Sequence, residues 1–281
     1  MEITSLDNYN DFIHIDLNVI YICNMKCKYC YARAEEPWNK MMRKEILDIC
    51  LKRISSLKEC HVNILGGEPS LYPFLEFLIC ELESMENVKL VKIYTNGIKD
   101  LRKYKSDKIK LVYTTHCREA QEKDNLNNIL SKVQKDDYIT IMFEDDPRLL
   151  DFYEKIKDFP LIEGNFIQYG NVPDFKSHPL AFLQNECLCN GKKINQEEYS
   201  QMDISRCKCH MNYFSVNFDG SVTNCLQTGN IKDFDFNDVY LQCPYKNCRQ
   251  VCYMYQRKFK WYFMEQETIL MSNSILTQPA I

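Results

Sequence analysis

No apolar run in the 281-residue sequence approaches the ~18 residues that a membrane-spanning helix needs. A signal peptide is not expected either, since the first residues, MEITSLDNYNDF, are acidic and polar. There is no basic excess. Lys and Arg number 35 against 39 Asp and Glu, for a formal charge of −4. That balance leaves no positive field for nucleic acid, and short basic clusters such as KYKSDKIK (103–110) read as solvated faces. Internal repeats and low-complexity linkers are likewise lacking. The expectation is a cytoplasmic, soluble chain that engages neither membrane nor nucleic acid. Its 45% hydrophobic content is enough to bury a sizeable core.

Cysteine, by contrast, is abundant. There are fifteen, an odd number, in a chain that reads as intracellular, where disulfides are disfavoured. Clustered thiols there are metal ligands or redox groups. Cys50, Cys60 and Cys80 stand alone in or beside apolar segments and are expected to behave as small buried hydrophobes. Cys23, Cys27 and Cys30 instead crowd into CNMKCKYC.

From Phe12 to Gly170 the sequence alternates strand-like runs with amphipathic stretches. The runs are 12–22, 61–67, 89–97, 108–115, 138–144 and 164–170, each rich in β-branched or aromatic residues. Helices are expected at 43–57, 73–84, 98–104, 119–134 and 147–157. In the first of them Ile46, Cys50, Ile54 and Leu57 share a face. Consecutive βα units argue for a parallel sheet, open or curled into part of a barrel, with ligands at the carboxyl ends of its strands. Two motifs follow strands directly: the cysteine loop, and Gly66-Gly67-Glu68-Pro69. Regular alternation ends at Gly170, so residues 1–170 are expected to form one domain and 171–281 a smaller, irregular one.

Three thiols in one loop fall short of the four ligands of a structural zinc site. They are enough to hold three irons of a [4Fe–4S] cluster and leave the fourth iron open to a small molecule. Paired glycines let a ligand approach the backbone closely. Together, Cys23, Cys27, Tyr29 and Cys30 and the GGEP of 66–69 resemble the radical S-adenosylmethionine (SAM) superfamily. The resemblance implies a partial (β/α)6 barrel of TIM-like α/β class. It also implies that the amino and carboxylate groups of SAM chelate the open iron, with the backbone of Gly66, Gly67 and Glu68 holding the amino group. Tyr29 would lie near the adenine, and Thr95-Asn96-Gly97 matches a TNG common in the family. A reduced flavodoxin or ferredoxin would supply the electron that cleaves SAM to methionine and a 5′-deoxyadenosyl radical, which abstracts a hydrogen atom from substrate.

The tail also carries a pattern. FSVNFDGSVTNC reads as two short strands around Asp219-Gly220. Cys209, Gly220 and Cys225 are spaced as in the hairpin of SPASM and twitch domains, which implies an auxiliary [4Fe–4S] cluster. The chain departs from a full SPASM pattern beyond that point, with Cys243, Cys248 and Cys252 and no later cysteine. One auxiliary cluster is expected on Cys209, Cys225 and two of those three, Cys243 and Cys248 being preferred. Cys207 is the alternative to Cys209. Zinc on the same thiols and a second cluster are the competing readings, and Cys187 and Cys189 stay unassigned.

Barrel logic makes His116, Cys117, Glu144, Asp145, Asp146, Gln168 and Tyr169 candidates for facing substrate. Glu144 would bind SAM ribose or accept a proton, and Cys117 would return a hydrogen atom to a substrate radical. A structural role for each is the competing reading. The resemblance to SPASM and twitch enzymes implies modification of a peptide residue by crosslinking, thioether formation, epimerisation or dehydrogenation. With about a dozen residues before the first strand, no fused peptide-recognition domain is expected. The alternative is oxidation or rearrangement of a small polar metabolite such as a sugar or amino alcohol. A non-catalytic metal-binding scaffold is the distant third.

Overall fold

The computed structural model describes residues 12–27, 30, 40–116, 124–143, 146–159, 162–166, 186–189, 192–195, 213–224, 228–234 and 236. Six strands run in sequence order: β1 (Ile13–Ile20), β2 (Cys60–Gly66), β3 (Val88–Thr95), β4 (Ile109–Thr114), β5 (Tyr138–Phe143) and β6 (Ile162–Phe166). Each pairs in parallel with the next. Parallel neighbours require crossovers, and helices supply three of them: α1 (Lys44–Ser55), α2 (Leu75–Ser84) and α4 (Arg148–Ile156). Between β4 and β5 lies the short α3 (Asn125–Leu130). The result is the expected partial barrel, with a sheet that does not close.

Strand alternation divides the sheet into two faces. Ile13, Ile15, Leu17 and Val19 of β1, Val62 and Ile64 of β2, and Val91 and Ile93 of β3 join the main apolar core with Ile46, Leu47, Cys50, Leu51 and Ile54 of α1. Cys50 and Cys60 are fully buried, and desolvation pushes both thiols up to about 12, so they are inert core residues. Cys80 differs from expectation. Helix α2 turns Leu75, Leu78, Ile79 and Leu82 inward and leaves Cys80 exposed.

The helix expected over 98–104 is reduced to a 3-10 turn at Arg102–Tyr104. Gly97 sits at φ 73°, and the Asp100 carboxylate accepts from both the backbone N–H and the guanidinium of Arg102, an alternative to helical pairing.

On the other edge, β1 pairs in parallel with β9 (Tyr213–Asn217). Strands β10 (Ser221–Thr223) and β11 (Thr228–Asn230) extend the sheet antiparallel, giving nine strands in the order β11-β10-β9-β1-β2-β3-β4-β5-β6. The β9–β10 turn falls at Asp219-Gly220 as read from the sequence. Gly220 adopts φ 84°, and Asp219 accepts from the Ser221 N–H at 2.9 Å. Phe214, Phe234 and Phe236 pack edge to face against one another inside the core shared with β1. A separate hairpin, β7 (Glu186–Cys189) with β8 (Lys192–Asn195), carries Cys187 and Cys189. No helix among the described residues is long and apolar enough to cross a membrane.

Candidate functional site

The site is built where β1, β2 and β3 end. Beyond β1 the chain enters the cysteine loop and returns at 40–42, tied back by Tyr21 N–H to the Lys40 carbonyl and Met42 N–H to the Val19 carbonyl, both at 2.7 Å. Cys23, Cys27 and Cys30 are in the thiol form and pack with Met25 and Ile98 in a small cluster apart from the main core. The Cys30 N–H donates to the Cys27 carbonyl, forming a turn, and the Met25 N–H donates to Cys23 Sγ at 3.3 Å. As placed, no three His, Cys, Asp or Glu side chains among the described residues converge on one ion position. The fit to a cluster rests on the donor chemistry instead: three thiols of one loop, gathered with Met25 and Ile98.

The glycine pair answers first to β1. A Cβ on Gly66 would lie 2.0 Å from the Ile20 carbonyl oxygen, and one on Gly67 2.4 Å from that of Ile22. Only glycine lets the end of β2 press this closely on the strand that launches the cysteine loop. The Gly67 and Glu68 N–H groups donate to Ile20 and Ile22 carbonyls. With those two donors engaged, Gly67 and Glu68 have backbone carbonyl oxygens left to offer an arriving amino group, that of Glu68 already accepting from the Leu71 N–H at 3.0 Å.

Glu68 is wholly buried, and its carboxylate joins two loops. Oε1 accepts from Ser70 N–H at 3.1 Å and Thr95 Oγ1 at 2.9 Å, and Oε2 accepts from Asn96 N–H at 2.9 Å. Burial pushes this carboxyl up from its ordinary range, while the three donors pull against it. Pro69 opens the 3-10 turn that follows. Asn96 carries the linkage onward. Its Nδ2 donates to Asn24 Oδ1 at 2.7 Å and lies 3.8 Å from Cys23 Sγ. Its carbonyl accepts from the Asn125 side chain, whose Oδ1 accepts from the His116 N–H at 2.8 Å. Thus GGEP, TNG and the loop after β4 are braced together behind the thiols.

Two of the candidate side chains lie among the described residues. His116 is directed at the cysteine loop, with Nδ1 3.7 Å from Cys27 Sγ. Its dense surroundings push the imidazole down to about 4, so it is neutral near pH 7. Asp146 is committed to the start of α4, where it accepts from the Arg148 backbone and pairs with its guanidinium at 2.7 Å. Tyr29, Cys117, Glu144, Asp145, Gln168, Tyr169, Cys207, Cys209, Cys225, Cys243, Cys248 and Cys252 lie outside the described residues.

Sequence reading missed a polar row on the sheet face opposite the helices. Ser215 of β9, Asp16 of β1, Asn63 of β2 and Lys92 of β3 stand side by side in register. Asn63 Nδ2 donates to Asp16 Oδ1 at 2.7 Å, and Lys92 Nζ lies 3.9 Å from the centre of the Tyr138 ring. One step toward the site, Asn18 donates to Ser215 Oγ at 3.0 Å and lies 3.3 Å from Asn217 Oδ1, which Tyr21 also reaches. Strands of a parallel sheet covered on both faces read as continuous apolar runs. The alternation of His14, Asp16 and Asn18 with Ile and Leu in β1 was the available signal.

Comparison with known proteins agrees with this geometry. Residues 17–113 match the Radical SAM superfamily. The chain is 22% identical over 242 residues to a protein named GTP 3′,8-cyclase from Limosilactobacillus fermentum, covering 76% of this chain and 71% of that one. It is 21% identical over 188 residues to its namesake in Lactiplantibacillus plantarum, covering 59% and 56%. A third relative, 7-carboxy-7-deazaguanine synthase of Haemophilus influenzae, is 31% identical over 77 residues, 27% of this chain and 33% of that one. Among solved structures, native anSMEcpe with bound AdoMet superposes with a TM-score of 0.53 at 18% identity, covering 79% of this chain and 78% of that one. Streptococcus suis SuiB bound to S-adenosylmethionine gives 0.56 at 15% identity, covering 85% and 68%. At these identities the likeness is one of fold.

Proposed function

We propose that this chain, an enzyme whose residues 17–113 form a radical SAM domain, abstracts a hydrogen atom from a polar substrate lying on the inner face of the partial barrel. The observation that carries the reading is the bracing of the three-thiol loop, GGEP and TNG into one unit through Glu68 and Asn96. A [4Fe–4S] cluster with SAM, given one electron by a reduced flavodoxin or ferredoxin, would supply the 5′-deoxyadenosyl radical. Cys23, Cys27 and Cys30 would hold three irons. The carbonyls of the Gly66–Glu68 segment would accept from the amino group of SAM, and the Glu68 carboxylate, fully used by protein donors, would only position them. Asp16, Asn18, Asn63 and Lys92 would bind polar groups of the substrate, Asp16 and Lys92 orienting charge of opposite sign.

A residue of a peptide remains the first substrate reading. It is supported by fold neighbours whose structures hold peptides, anSMEcpe with Cp18Cys peptide and SuiB with precursor peptide SuiA. A small polar metabolite is the second reading, favoured by the mixed-charge inner row and by relatives named for GTP. An auxiliary cluster on Cys209, Cys225, Cys243 and Cys248, with Cys252 as a further ligand candidate, would take an electron from the substrate radical in an oxidation.

The test is anaerobic reconstitution of the wild type and of a Cys23→Ala/Cys27→Ala/Cys30→Ala variant, with iron counted and 5′-deoxyadenosine followed under dithionite. About eight irons, falling by about four in the variant along with all SAM cleavage, is the expected result. Folded wild type that takes up no iron and cleaves no SAM refutes the reading.

A further inference from the structure

We propose that His116 is a positioning residue for the iron–sulfur centre: its Nδ1–H donates a hydrogen bond to the Cys27 sulfur and raises the reduction potential of the cluster that Cys27 holds. The inference rests on the cluster reading above, and concerns what sets the ease of the electron's entry.

The geometry favours a fixed donor. Nδ1 lies 3.7 Å from Cys27 Sγ, within reach for a bond to sulfur. The backbone of His116 is anchored by Asn125, itself 1% exposed and bonded to the Asn96 carbonyl. Thr115, next to it, donates through its N–H to the Thr140 carbonyl at 3.0 Å, and its hydroxyl accepts from the Met142 N–H at 2.9 Å. The ring is therefore carried on a segment tied to β3, β5 and α3. A thiolate bound to iron can only accept, so the nitrogen facing it must carry the proton. That fixes which ring nitrogen carries a proton toward the sulfur. Adding an electron makes the cluster more negative, so an N–H directed at its sulfur stabilises the reduced form more than the oxidised one. Hydrogen bonds to cluster sulfurs are among the factors that set such potentials.

The role separates from a packing role by substitution. In His116→Asn the side-chain N–H falls near the position of Nδ1, whereas His116→Leu fills similar space without a donor. All three proteins are reconstituted anaerobically, iron is counted, and the reduced cluster is titrated by EPR. The signal that SAM perturbs identifies the centre with the open iron. At the potential where half the wild-type cluster is reduced, His116→Leu is expected to lower the reduced-to-oxidised ratio about tenfold, equivalent to about 59 mV for one electron. His116→Asn should stay within about twofold of wild type on the same scale. As a second measurement, wild type grown on ¹⁵N-histidine should show a weak nitrogen coupling to the reduced cluster by pulsed EPR, absent from labelled His116→Asn. Loaded protein whose potential is unmoved in His116→Leu, or a labelled wild type with no coupling, overturns the hydrogen bond while leaving the cluster intact. Wild type that binds no iron overturns the cluster reading, and this one with it.

Discussion

Replacing Glu68 by glutamine should destabilise the protein although shape and volume are kept. The three groups that meet the carboxylate are all donors: the Ser70 and Asn96 N–H groups and the Thr95 hydroxyl. Glutamine has one acceptor oxygen and one NH2. If the oxygen occupies the Oε1 position, the NH2 faces the Asn96 N–H. If it occupies the Oε2 position, the NH2 faces the Ser70 N–H. The Thr95 hydroxyl can turn to accept, but a backbone N–H cannot. Either orientation leaves one buried amide without an acceptor, at a cost of about 1–3 kcal/mol. Alanine leaves both amides orphaned and opens a void, for about 3–5 kcal/mol. Urea unfolding of the metal-free proteins near neutral pH, followed by far-UV circular dichroism, measures both. Glutamine equal to wild type within about 0.5 kcal/mol would refute the reasoning. It would mean that burial keeps the native carboxyl protonated, with its own O–H directed at Thr95.

Gly67→Ala places a methyl 2.4 Å from the Ile22 carbonyl. It should lower unfolding free energy by more than about 2 kcal/mol and reduce iron uptake, since β1 and the cysteine loop must shift; normal iron content and stability would show that the strands are not pressed together. His61 is held neutral, mainly by desolvation and also by Lys92, with its pKa lowered to about 4 from 6.5. The folded state thus binds fewer protons than the unfolded one between those values, and stability present above pH 6.5 is lost as pH falls toward 4. His61→Phe, which can still stack on Phe12 (ring centroids 4.5 Å apart in the native pair), should remove up to about 3 kcal/mol of that pH dependence. Parallel profiles for the two proteins would contradict it.

The succession of strands and helices was legible because most βα units announce themselves locally: β-branched runs, then amphipathic stretches whose apolar positions step by three and four; that the strands lie side by side in that succession followed from the family resemblance. The motifs at the ends of β1, β2 and β3 were legible for the same reason, being contiguous in sequence. What escaped was non-local. The pairing of β9 with β1 depends on residues about 200 positions apart, and no periodicity within FSVNF names its neighbour. Asn125 escaped because a single buried amide that bonds Asn96 and His116 looks like any asparagine opening a helix. His116 was noticed for its place after a strand, yet its direction is set by that asparagine rather than by the strand. The helix expected at 98–104 failed on a side chain: Asp100 satisfies the Arg102 backbone in a way that ends regular winding before it starts.

The insertion of β9 beside β1 has a consequence for how the molecule must be made. Among the described strands, β1 is the first to leave the ribosome, yet its second neighbour is synthesised some 200 residues later. Until then one edge of the strand that bears the cysteine loop stands open, a template for pairing with another chain. Contacts of such long sequence separation form slowly. A nascent chain halted near residue 170 would therefore be prone to self-association through β1, and the cysteine-rich tail cannot be trimmed away as though it were only a cofactor holder. Production of the chain is best served by slow, cool synthesis, in which β9 reaches its place before two open edges meet.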